Sequence, residues 1–134
     1  MNELYSALFS WAVTLSGYPA PATMPVIEYV PHARLEQMMC KSQHCDVLGV
    51  YPPGETIYLD DKLDPQDNTV AASIVVHEMV HYLQSKSGRY DGKSDCHTVM
   101  QLEREAYSVQ SKYLTAYGVY YPVAVFSPGC GPVQ

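Results

Sequence analysis

Apolar residues near the start of the chain recur at Leu4, Leu8, Trp11 and Leu15. That i, i+4, i+7, i+11 spacing gathers them on one face of a helix, which Gly17 closes. Pro19, Pro21 and Pro25 mark a connector. Residues 26–30 alternate around Glu28 and predict a short strand that stops before Pro31. A short helix is expected over residues 33–39. Residues 47–51 and 56–59 read as two more strands, joined as a hairpin by the turn Pro52-Pro53-Gly54-Glu55. Asp64 can cap a helix whose first residue is Pro65, and Gly88 is a natural residue to end it. A polar loop over residues 89–94 follows. The last long helix is expected to begin around Asp95 or Thr98, where Thr98-x-x-Gln101 has the form of a capping box. It runs to about Tyr117, before Gly118. The tail, residues 119–134, reads as extended and is broken by Pro122, Pro128 and Pro132.

This order of elements predicts an α+β fold, with helices packed on a short mixed sheet. A chain of 134 residues is one domain, residues 1–134, and is long enough for a hydrophobic core. The net charge of −6 and the lack of a basic patch argue against nucleic acid as a partner. No apolar run approaches the roughly 20 residues that span a bilayer. Tyrosine is frequent, 12 against 2 phenylalanines, and a ring with a polar tip suits an open, ligand-facing cleft. Oligomeric state leaves no mark on the pattern.

The cysteines bear on compartment. Cys40, Cys45, Cys96 and Cys130 form an even set without the C-x-x-C knuckles of a structural zinc site. Two disulfides, Cys40–Cys45 and Cys96–Cys130, are expected, and with them an extracytoplasmic protein, secreted or periplasmic. Met1-Asn2-Glu3 lacks the basic start of a signal peptide. The expectation is therefore that a signal has been removed; four free thiols would instead indicate the cytoplasm.

The densest chemistry lies in the second long helix. His77-Glu78-Met79-Val80-His81 is an H-E-x-x-H motif with apolar flanks and no proline. Four residues of helix bring the two imidazoles to one side, where they can grip one Zn²⁺. Glu78 can then reach a water on the metal as general base. A catalytic zinc takes three protein ligands. The metzincin continuation H-x-x-G-x-x-H is excluded, because Gln84 holds the glycine position and Ser87 the last one. Asp91, Asp95, His97, Glu103 and Glu105 remain as third ligands. Glu103 and Glu105 flank the stripe Leu102, Ala106, Val109, Tyr113 on opposite sides of the last helix. The helical wheel does not decide between them. His97, Tyr107 and Tyr113 are candidate oxyanion stabilisers, whereas His32 and His44 carry no spacing signal.

The motif helix together with the stretch around Glu105-Ala106 resembles the gluzincins, small single-domain ones in particular. In that pattern the liganding glutamate is followed by a small residue. The resemblance implies a minimal zincin-like fold, with Glu105 as third ligand of one Zn²⁺ per chain beside His77 and His81. It implies a metallo-endopeptidase with Glu78 as catalytic base. It also implies that the strand over residues 56–59 is a sheet edge, along which a peptide or protein substrate would bind in extended form. The larger gluzincins carry an aspartate four residues after the liganding glutamate; here that position is Val109, so the partner orienting His77 is not named. A non-cleaving, zinc-containing binding or regulatory module on the same scaffold is the alternative.

Overall fold

In a computed structural model, residues 2–92 and 95–121 are described. Over these residues the protein has an α+β fold of four helices and a three-stranded mixed sheet. The order is α1 (Asn2–Ser16), β1 (Val26–Val30), α2 (His32–Met39), β2 (Gly49–Val50), β3 (Thr56–Asp60), α3 (Thr69–Lys86) and α4 (Cys96–Ala116). Among the described residues no helix is long and apolar enough to cross a membrane.

The helix α3 is the centre of the molecule. Every residue from Ala71 to Gln84 except Ile74 is buried, because α1, α4 and the sheet surround it. A helix packed against on most of its surface must be apolar over most of it, and Val75, Val76, Met79, Val80 and Leu83 are fully buried. The stripe Leu102, Ala106, Val109, Tyr113 of α4 and Leu8, Phe9 and Ala12 of α1 complete this core. Most of the tyrosines near it serve packing rather than a cleft. Tyr51 and Tyr82 are buried, and their hydroxyls donate to the carbonyls of Gly54 (2.7 Å) and Thr23 (2.9 Å).

The sheet corrects one expectation. Its order is β1-β3-β2, so residues 56–59 form the central strand. β3 pairs parallel with β1 and antiparallel with β2. Alternation shows that a strand has two faces but not whether both of its edges are paired. The edge beside α3 is β2, which is shorter than the span expected from residue 47 to residue 51.

The helix ends differ from expectation at two N-termini. Asp64 and Pro65 belong to an isolated turn, in which the amide of Asp67 donates to the carbonyl of Asp64 at 3.3 Å. Asn68 is extended and interrupts it, and its side chain accepts from the amide of Ala71 at 2.9 Å to start α3. In α4 it is Asp95 that caps, accepting from the amide of Thr98 at 2.8 Å, while Gln101 turns to His97. The ends of α1, α3 and α4 lie where Gly17, Gly88 and Gly118 adopt positive φ. Cys40 and Cys45 lie at disulfide distance, with Cα atoms 6.5 Å apart. Cys130 and the tail from residue 122 lie outside the described residues, and the Cys96–Cys130 pairing with them.

Because the Asn68 side chain caps the N-terminus of the central helix, Asn68→Ala should lower stability by about 1 kcal/mol. Urea unfolding of the two proteins measures it, and equal midpoints would rule out the cap.

Candidate metal centre

His77 and His81 face α4 from α3, and the residue that meets them is Glu103. Glu103 Oε1 lies 2.7 Å from His81 Nε2 and 3.3 Å from His77 Nε2, and the two Nε2 atoms are 3.2 Å apart. All three side chains are buried. Tetrahedral zinc, with ligands at about 2.0–2.1 Å, spaces its donors by roughly 3.3 Å. Two imidazole nitrogens and a carboxylate oxygen are a zinc donor set. The residues present therefore fit this ion.

Two glutamines fix which ring nitrogens face the centre. His77 Nδ1 lies 3.0 Å from Gln110 Oε1, and His81 Nδ1 lies 2.8 Å from Gln84 Oε1. The amide orientations are set from their other ends. Gln84 Nε2 donates to the carbonyl of Leu102 (2.9 Å) and to Glu105 Oε1 (3.1 Å), both acceptors. Gln110 Nε2 donates to Ser73 Oγ at 3.1 Å, whose own hydrogen goes to the carbonyl of Val70. Each Nδ1–H must then donate to an amide oxygen, which directs each Nε2 at Glu103. Gln110 is thus the partner of His77 that the sequence did not reveal.

Electrostatics follow from burial. Burial alone would push the Glu103 carboxyl up, but hydrogen bonds and charge from His77 and His81 hold it down at about 2. Burial likewise opposes a charged His81, yet the hydrogen bond and charge of Glu103 push it up to about 9. Glu78 is pushed up, chiefly by burial, against the pull of the two imidazoles. Its Oε1 has no hydrogen-bond partner among the described residues.

Glu105 is elsewhere, which corrects the ligand expected from Glu-Ala. Its carboxylate accepts from Tyr18 and Gln84 and pairs with Arg89. It faces α1 and the loop after α3. The physical reason is helical phase: Glu103, Tyr107 and Gln110 share the face turned to α3, and Glu105 lies about 200° away from Glu103. Glu105 still touches the centre indirectly, since it holds the Gln84 amide that holds His81. The fully buried Ala106 serves the close packing of α4 on the core, not a ligand beside it.

Glu78 lines a cleft with His77, Ile74, Tyr107, Gln110 and the segment from Asp46 to Gly49. A Cβ on Gly49 would lie 3.0 Å from Glu78 Cγ, so glycine is what lets the strand approach the carboxylate. Among the candidate oxyanion donors, Tyr107 is at the cleft, its ring 4.5 Å from that of His77. Tyr113 packs against Trp11 in the core, and His97 is paired with Gln101 away from the centre.

Residues 1–130 match the family described as a domain of unknown function, DUF6647. The chain belongs to that family. No curated protein and no solved structure matches it.

Glu103→Ala should therefore abolish stoichiometric zinc uptake at this centre, while Glu105→Ala should keep it. Metal analysis after dialysis reads both. Retention in Glu103→Ala with loss in Glu105→Ala would reverse the assignment.

Proposed function

We propose that this protein is a zinc-dependent endopeptidase of the gluzincin type on a zincin-like fold. His77, His81 and Glu103 would hold one Zn²⁺, and Glu78 would be the general base. The observation that carries the reading is the buried Glu78 Oε1, unpartnered among the described residues and adjacent to three converging donors. A buried carboxylate oxygen without a hydrogen bond is costly. A base that must take a proton during reaction needs such an oxygen, which a purely structural metal site or a non-cleaving binding module does not.

When bound, the metal supplies a Lewis acid that polarises the scissile carbonyl and acidifies water. Glu78 takes the proton of the attacking water and returns it to the leaving nitrogen. Tyr107 is pushed up by burial and by the charges of Glu103 and Glu78, so it stays a phenol donor suited to developing oxyanion charge. Gln84 and Gln110 keep both rings in the required tautomer. The Cys40–Cys45 pair supports a secreted or periplasmic setting.

The substrate side of the reading rests on β2. The amide of Asp60 donates to the carbonyl of Leu48 at 3.0 Å. Antiparallel alternation then turns the N–H and C=O of Gly49 away from β3, toward the side of β2 that no strand pairs among the described residues. An extended peptide pairing there would pass beside Glu78.

Glu78→Gln should retain zinc and lose peptide cleavage by at least about 10²–10⁴-fold, and Tyr107→Phe should lower kcat with little change in KM. Near wild-type turnover in Glu78→Gln would end the peptidase reading. For the substrate path, N-methylation at successive backbone positions of a cleaved peptide should raise KM at every second position, as strand pairing requires. A flat profile would remove β2 as the docking edge.

A further inference from the structure

A second group of metal-type donors lies around α2, outside the α3–α4 seam. His32 and Glu36 are four residues apart and share a face of α2. His44 returns over them from the loop closed by Cys40 and Cys45. Glu36 Oε2 lies 2.9 Å from His44 Nδ1 and 3.3 Å from His32 Nε2. The carbonyl oxygen of Cys45 lies 2.7 Å from the same His32 Nε2. On the other side of the ring, His32 Nδ1 meets the buried carboxylate of Asp60 at 2.8 Å. Asp60 is itself fixed, because its Oδ1 accepts from the amide of Lys62 at 2.9 Å.

We propose that His32, Glu36 and His44 form a second site for a divalent cation of the zinc class, with the Cys45 carbonyl as the fourth donor within reach. The arrangement repeats the physical logic of the α3–α4 centre. Asp60 receives the Nδ1–H of His32, as a carboxylate behind a metal-binding imidazole does, and so directs Nε2 inward. Imidazole and carboxylate together suit zinc, copper or nickel better than calcium or magnesium, which favour all-oxygen shells. Ion pairing alone is a poor reason for His44 to fold back on Glu36. Its side chain is 86% exposed, where such a pair is worth little and ordering the ring costs entropy. The site also has a place in the architecture. Cys45 is followed directly by the segment from Asp46 to Gly49, which walls the cleft beside Glu78. A cation there would pin the entrance of that wall.

Zinc titration by equilibrium dialysis tests the site in five proteins: wild type, His44→Ala, Glu103→Ala, the double variant of these two, and Glu36→Gln in the Glu103→Ala background. His44 is exposed, so its replacement leaves the core intact, and circular dichroism checks that. Wild type should take up two zinc ions and His44→Ala one, or the second at least about tenfold more weakly. Glu103→Ala should keep an equivalent that the double variant loses. Glu36→Gln in the Glu103→Ala background should lose it too. That comparison stands even if the α3–α4 seam binds nothing, which separates failure of this site from failure of the proposed function. If Glu103→Ala and the double variant bind zinc identically up to about 0.1 mM, there is no second site.

Discussion

The contact on which the structure turns is that of Glu103 with His77 and His81, made where water is excluded. An ionised carboxylate in the interior costs several kcal/mol unless its charge is met locally. Here it is met by imidazole nitrogens, and Glu103 in turn pushes His81 up while the two rings hold Glu103 down. A second carboxylate, Glu78, is buried within the same seam and is driven toward its neutral form. One divalent cation would balance both at once, which is the electrostatic reason for reading the seam as a metal centre.

That contact demands a rigid surround, and the sequence supplies it in polar residues placed where a core would otherwise be apolar. Gln84, fully buried, spans three neighbours: it accepts from His81 and donates to Leu102 and Glu105. Gln110 does the same between His77 and Ser73. Both amides are hydrogen-bonded at both ends, so neither can flip without stranding a buried group. Arg89 and Tyr18 extend the support outward through Glu105. The rings are therefore positioned by a network that reaches α3, α4, the segment after α1 and the loop after α3.

Much of this was legible from residue spacing. The α1 stripe, the β1 span, the β2–β3 hairpin and the glycine ends of α1, α3 and α4 follow from local rules that tertiary structure leaves alone. The choice between Glu103 and Glu105 was not, when α4 was considered by itself, because its apolar stripe is flanked symmetrically. A signal did exist in the pair of helices. Ser73, His77, His81 and Gln84 run as a polar line down one face of α3, and Glu103, Tyr107 and Gln110 run down one face of α4. Buried polar groups must be partnered, so two such lines should face each other, and Glu105 lies on neither. The central place of β3 was hidden for a different reason. Which strands neighbour it depends on the path of α2 between β1 and β2, a non-local fact that no alternation within residues 56–60 can encode.

The approach of β2 to α3 joins fold to chemistry most directly. A sheet and a helix packed on it are normally separated by side chains from both. At Gly49 one of those layers is missing, and the aliphatic part of Glu78 occupies the space where a Cβ would go. The carboxyl end of Glu78 is thereby brought alongside main chain rather than side chain. Main chain at a sheet edge is the one surface that recognises another extended chain without regard to its sequence. Burial of Glu78 and its closeness to the β2 main chain are thus two results of a single small residue, and any larger side chain at position 49 would disturb both together.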